Sequence, residues 1–246
     1  MKITRIALAL VALAGFTGSA AQAGVNLVQN GGFEMLTNGP GQFDNNTSAT
    51  GWTSNGYNFI FGAGTADTSG VNGQYGNLKL WGPGNGSNNG FASVSPVGGN
   101  YVGADGAFLV APIQQTINNL VVGAKYDVGF YWGGAQQFGY NGETTEQWKV
   151  SFGDQQIDTA VLTNASHGFT GWQKENFTFT ATNVSQVLSF LAVGTPNGEP
   201  PFSLLDGVSV TAAVPEPATW AMMILGMGAV GAASRLRRRQ AGLATA

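Results

Sequence analysis

The chain has 246 residues, with 38 glycines and no cysteine, which excludes disulfide and thiol chemistry. Apolar residues make up 43% and charged residues only 9%, a composition that excludes wholesale disorder and suits a turn-rich, all-β protein. Between Gly24 and Val214 four lysines stand against twelve carboxylates, a net charge of −8, which argues against nucleic acid as a partner and leaves neutral sugars, Ca²⁺ or proteins.

Residues 1–23 read as a signal peptide. Lys2 and Arg5 form a charged start, residues 6–16 an apolar core, and Ala21-Gln22-Ala23 a small-residue cleavage site. The other reading, an N-terminal membrane helix, needs a longer apolar run. Residues 24–213 form the predicted folded domain. Its first segment, residues 25–28, suggests a short strand. Asn30-Gly31-Gly32 then offers positive-φ positions for a tight turn, with Phe33 plugging the core and Glu34 pointing elsewhere.

From Met35 to Gly99 the chain is rich in Gly, Asn and Ser, with scattered aromatics. Strand-like pieces are Gly51-Trp52, residues 57–61 and residues 78–81. Long polar loops separate them, notably residues 82–90, and such loops in a compact domain tend to be functional or mobile. The second half is more regular. Residues 111–117 alternate and end at a turn at Asn118-Asn119. Tyr126, Val128, Phe130 and Trp132 share one face of a strand, and Trp148, Val150 and Phe152 share another. Residues 176–180 are a further strand, residues 187–193 read as a strand buried on both faces, and residues 204–210 close the domain. Regular strands without an amphipathic helix predict an all-β, antiparallel β-sandwich.

Three stretches carry a resemblance. They are Asn26-Leu27-Val28-Gln29-Asn30-Gly31-Gly32-Phe33-Glu34, then Ile113-Gln114-Gln115-Thr116-Ile117 with Lys125-Tyr126-Asp127-Val128-Gly129-Phe130, and finally Leu205-Asp206-Gly207-Val208-Ser209-Val210. Their order resembles the galactose-binding-like jelly rolls, a superfamily that includes many carbohydrate-binding modules. The resemblance implies a jelly roll whose first and last strands lie side by side, with a structural calcium near their ends. By position, Glu34 and Asp206 would supply carboxylate oxygens, and backbone carbonyls the remaining ligands. Gly207 departs from the family pattern, which has a second Asp there, so one possible ligand is missing. The alternative is that Asp206 caps a turn and Glu34 is solvated.

Residues 214–246 form a separate tail. Pro215-Glu216-Pro217 holds the backbone extended. Residues 218–234 carry no charge and would span about 25 Å as a helix. Arg235, Arg237, Arg238 and Arg239 mark a cytoplasmic stop. The tail closely resembles the PEP-CTERM sorting signal, in the variant with Trp220 and Ala221 after the PEP motif. That resemblance implies a Gram-negative bacterium, recognition by an exosortase, cleavage near the motif, transient anchoring in the inner membrane, and delivery to the cell surface or an exopolysaccharide matrix. A permanent single-span anchor is the other reading.

Chemistry is sparse. His167 is the only histidine, there is no Gly-x-Ser-x-Gly elbow, and histidine-based zinc sites are ruled out by that count. His167 itself reads as a solvated loop residue. Glu143 with Glu146, or Asp154 with Asp158, could be paired as in glycosidases, but nothing marks either pair. For sugar contact, Trp81 and Tyr140 border flexible loops, with Trp52 and Asn141 as further candidates. Trp132 sits on the apolar face of its strand and reads as core. The expected protein is an exported, non-catalytic sandwich that binds carbohydrate. A structural or adhesive matrix protein is the alternative, and a glycan hydrolase is less favoured.

Overall fold

The computed structural model describes residues 24–213, 225–228 and 231. Residues 24–213 form one compact unit. Its strands, in chain order, are β1 (Gly41–Gln42), β2 (Asn58–Phe61), β3 (Val71–Gly73), β4 (Gly76–Leu78), β5 (Tyr101–Asp105), β6 (Ile113–Ile117) and β7 (Lys125–Gln136). They continue with β8 (Thr144–Phe152), β9 (Gln155–Asp158), β10 (Leu162–Asn164), β11 (Gln173–Thr180), β12 (Gln186–Thr195) and β13 (Pro201–Ala212). Among the described residues one 3₁₀ turn is present, at Pro83–Asn85. Residues 225–228 and 231 are helical, and among the described residues no helix is long and apolar enough to cross a membrane. The expected signal peptide and most of the apolar run 218–234 lie outside the described residues.

Two antiparallel sheets face each other. One has the order β1-β2-β5-β13-β7-β11, the other β10-β8-β12-β6, with β9 also on β8. From β6 to β8 and again from β10 to β13 successive strands cross from one sheet to the other in the manner of a jelly roll, while β8, β9 and β10 stay in the five-stranded sheet, so the predicted antiparallel sandwich is the observed fold. The core between the sheets holds the predicted faces: Tyr126, Val128, Phe130 and Trp132 from β7, and Trp148, Val150 and Phe152 from β8. Trp148 also ties the layers together, its indole N–H donating to the Leu204 carbonyl at 3.0 Å.

The six-stranded sheet has a second covering. Residues 62–100 fold back over its outer face and bury Phe59, Phe61, Tyr101, Phe202 and Leu204 beneath Ala66, Leu80 and Phe91. This explains why β2 and β5 are buried at every position. Among the described residues the five-stranded sheet has no such cover. Its β12, expected to be buried on both faces, leaves Val187 exposed and Leu191 and Val193 half-buried.

β13 changes face midway. Phe202 and Leu204 point outward, Leu205 inward, and Val208 and Val210 inward again. An irregularity between Asp206 and Ser209 inserts the extra residue, with Gly207 at φ 61°. A left-handed backbone at this bulge favours glycine over the aspartate of the family pattern.

The expected first strand is not a strand. Residues 24–29 run beside β13 with isolated bonds: Leu27 N–H donates to Val210 O at 2.8 Å, and Asn26 Oδ1 accepts from Val210 N–H at 2.9 Å. The asparagine side chain replaces a ladder carbonyl, so regular pairing ends there. In the turn that follows, positive φ falls on Asn30 (55°) and Phe33 (56°), not on Gly31 or Gly32. Gly31 is required for a different reason, since a Cβ there would lie 2.0 Å from the Val208 carbonyl oxygen.

Candidate functional site

One end of the six-stranded sheet gathers an aromatic-walled cavity of about 320 Å³. Tyr57 enters from the residue before β2, Asp105 from the end of β5, and Phe108 from the turn after it. Tyr75 and Asn77 come from the β3–β4 hairpin, Gln137 and Tyr140 from the loop after β7, and Asn197, Gly198 and Pro200 from the β12–β13 turn. The hairpin is set by Gln42, whose side-chain oxygen accepts from Gln74 N–H at 2.7 Å. Tyr57 is the buried floor, and Tyr75, Phe108 and Tyr140 are exposed. Tyr57 meets Phe108 edge-on at 5.3 Å and Tyr75 at 5.8 Å, while Tyr75 and Phe108 lie 5.9 Å apart.

Asp105 is 1% exposed. Its Oδ1 accepts from Ala107 N–H (2.8 Å) and Phe108 N–H (3.0 Å), an arrangement that shapes the turn carrying Phe108. Its Oδ2 has no hydrogen-bond partner. Burial pushes its pKa up to about 6 against the pull of those two amides. The Tyr57 hydroxyl is also raised, first by burial, then by Asp105, Tyr140 and Tyr75. Oxygen groups therefore converge on the cavity, and among the described residues none of its lining side chains is basic.

The sequence candidates separate here. Tyr140 lines the cavity. Trp52 does not reach any surface: it is 3% exposed, packs on Phe33 at 5.2 Å, and donates its indole N–H to Asn30 O at 3.0 Å. Trp81 is half-buried, with one face stacked on His167 at 3.9 Å and an edge against Phe138 at 4.5 Å. Its indole N–H donates to Tyr140 O at 2.8 Å, so it braces the Tyr140 loop from behind. Asn141 is exposed and tethered, its Oδ1 lying 2.6 Å from His167 Nε2 and its N–H donating to Glu199 Oε2 at 3.0 Å.

His167 is therefore no free loop residue. Its N–H donates to Gln136 Oε1 at 2.7 Å, and its carbonyl accepts from Ser87 and Asn89. The same bonds pin the 82–90 loop. Tyr75, Phe108 and Asp105 were not singled out from sequence. The only trace is an acid followed by glycine after an apolar run, at Asp105-Gly106.

Burial separates the members of one acid pair. Glu143 is exposed, whereas Glu146 is fully buried. Glu146 Oε1 accepts from the Thr144 hydroxyl at 2.5 Å and Oε2 is unpartnered. Burial pushes its pKa up to about 8, opposed by Thr144 and Asn164.

Glu34 and Asp206 come together from opposite ends of the chain. A Cβ on Gly32 would lie 3.8 Å from both Asp206 Oδ1 and Glu34 Oε1, so the two carboxylates flank one glycine. Asp206 is fully buried, accepts from the Ser95 hydroxyl and from Gly207 N–H, and is pushed up to about 7, mainly by burial. Glu34 is exposed and accepts from Asn100 N–H at 2.8 Å. Among the described residues no cluster of three or more His, Cys, Asp or Glu is present.

Comparison with known proteins bears on both parts of the chain. Residues 213–239 match the PEP-CTERM protein-sorting motif. No curated protein matches the chain. Among solved structures the chain is similar to TmCBM61, a structure in complex with β-1,4-galactotriose, at 16% identity and a TM-score of 0.44, over 76% of this chain and 99% of that one. It is similar to the K1 cleaved adhesin domain of Lys-gingipain from Porphyromonas gingivalis W83, at 13% identity and 0.43, over 74% and 96%. It is also similar to the CBM22-1 xylan-binding domain of Xyn10C from Paenibacillus barcinonensis, at 12% identity and 0.39, over 80% and 99%. Pro215, Glu216, Pro217, Trp220, Ala221 and Arg235, Arg237, Arg238 and Arg239 fall within the motif but outside the described residues. The chain thus joins an antiparallel β-sandwich to a C-terminal PEP-CTERM protein-sorting motif.

Proposed function

We propose that this is an exported protein, processed by an exosortase and delivered to the cell surface or its polysaccharide matrix, where the sandwich binds saccharide without cleaving it. The observation that carries the binding is the cavity of Tyr57, Tyr75, Phe108 and Tyr140 around Asp105. Sugar rings stack their C–H faces on aromatic rings, while carboxylates and amides such as Asp105, Asn77 and Gln137 take up hydroxyl hydrogen bonds. Tyr140→Ala and Phe108→Ala each lower affinity for the bound polysaccharide by about 10-fold, roughly the value of one aromatic contact. Polysaccharide pull-down across a panel that includes the organism's own polymer checks this. No binding by the unmodified protein, or full binding by both variants, overturns it.

One observation favours contact with other proteins as a second role. Val121, Val122 and Val184 are all more than half exposed on adjoining loops, joined by Leu120 N–H donating to Val184 O at 3.0 Å.

We further propose a structural Ca²⁺ at Glu34 and Asp206. Ca²⁺ selects oxygen donors, and here a buried carboxylate and an exposed one face the same glycine with only neutral hydrogen-bond donors on them. The cation would offset the repulsion between the two. Adding 5 mM CaCl₂ after EDTA treatment should raise the melting temperature by about 2–6 °C, as expected for one to two kcal/mol in a domain of this size. Glu34→Gln should abolish the rise. Identical melting curves with Ca²⁺ and EDTA would remove the metal.

A further inference from the structure

We infer that the cavity around Asp105 selects a sugar bearing a free amine, that is, a de-N-acetylated hexosamine unit whose ammonium faces Asp105 Oδ2 and the aromatic wall. This rests on the saccharide-binding reading above and names its ligand class.

The lining carries one carboxylate and no base among the described residues, so it disfavours uronate or phosphorylated sugars. Asp105 is 1% exposed, two backbone N–H groups occupy Oδ1, and Oδ2 is unpartnered. A buried carboxylate in that state is costly to ionise. A sugar hydroxyl would satisfy the hydrogen bond but leave the charge, whereas an ammonium does both. Tyr75 and Phe108 add exposed π-faces beside the acid, and an ammonium is drawn to such faces. An N-acetyl group removes the charge. The titratable groups that face Asp105 across the cavity are Tyr57, Tyr75 and Tyr140, with Glu199 beside them in the β12–β13 turn, where it accepts from Asn141 N–H, and none of these brings a positive charge.

The test compares the β-1,4-linked glucosamine tetramer with its N-acetylated counterpart, by calorimetric titration of the full chain at 150 mM salt. At pH 6.5, where Asp105 is mostly ionised and much of the sugar amine is protonated, the amine form binds at least about 10-fold more tightly. At pH 5 the carboxylate is protonated while the amine stays charged, so that advantage shrinks. Asp105→Asn removes the advantage at both pH values. Should Asp105→Asn not fold, the pH comparison and Tyr75→Ala, which lowers affinity for the amine form, carry the test.

Equal or tighter binding of the N-acetylated tetramer overturns the amine inference and leaves the saccharide reading standing. So does an equal loss of affinity in Asp154→Asn, an exposed acid outside the cavity, because it marks the binding as unspecific attraction to an acidic domain. Absence of binding by either tetramer and by every polysaccharide in the panel overturns both readings.

Discussion

Gly31→Ala destabilises the domain by about 3 kcal/mol, while Gly32→Ala one residue on costs under about 1 kcal/mol. The contrast follows from what each glycine faces. At Gly31 an added Cβ would lie 2.0 Å from the Val208 carbonyl oxygen, and the same pair of residues is joined by Val208 N–H donating to Gly31 O at 2.9 Å. Backbone cannot rotate away as a side chain can. Relief therefore requires the N-terminal segment to part from β13, with loss of that bond and loosening of Phe33, which is fully buried. At Gly32 the nearest atoms are carboxylate oxygens at 3.8 Å, ordinary contact distance. Urea denaturation of the two variants, measured without divalent cations, reads the difference. Equal midpoints for Gly31→Ala and the unmodified chain would show that the close approach is not a constraint.

The second large effect is on pH dependence. Glu146 has its pKa raised from an ordinary 4.5 to about 8, chiefly by burial. Between those values the folded state holds a proton that the unfolded state has lost. Stability is therefore highest below about pH 4.5, falls as pH rises toward 8, and levels off above it. The loss assigned to this group is on the order of 5 kcal/mol, at about 1.4 kcal/mol per pH unit. Asp105, raised to about 6, adds a smaller fall of the same sign at lower pH. Glu146→Gln keeps the shape, leaves an acceptor for the Thr144 hydroxyl, and cannot ionise. Its stability should match the unmodified chain near pH 5 and exceed it by several kcal/mol near pH 9. Urea midpoints at the two pH values in EDTA decide the matter. Parallel pH profiles would mean that Glu146 ionises without cost.

Both effects were invisible in the sequence for the same reason. Asn30-Gly31-Gly32 reads as a turn needing left-handed glycines, yet the left-handed residues are Asn30 and Phe33, and Gly31 answers to a carbonyl 177 positions away. Glu146 alternates correctly with Trp148 and Val150, and that alternation places it inside, where a charged side chain is not expected. The aromatic-walled cavity was only half visible. Tyr140 and Gln137 stand in a loop that mixes rings and amides, a recognisable local sign. Tyr75, Phe108 and Asp105 come from three other segments and have no such sign. Trp81 looked free because its loop is polar, but His167, 86 positions later, covers its face.

What the sequence determined by itself was whatever is written locally. Period-two alternation in β7 and β8 settles strand type and inward face, because a pleated strand sends successive side chains to opposite sides. The order of Pro-Glu-Pro, apolar run and arginines identifies the sorting motif, because a linear signal needs no fold to be read. Tertiary structure alone decided which strands are covered twice, where β13 changes face, and which rings meet an acid at the sheet's end. Those depend on residues 62–100 folding over the outer face and on contacts between segments far apart in the chain. No local pattern encodes them, since each segment satisfies its own alternation whether or not a loop lies above it.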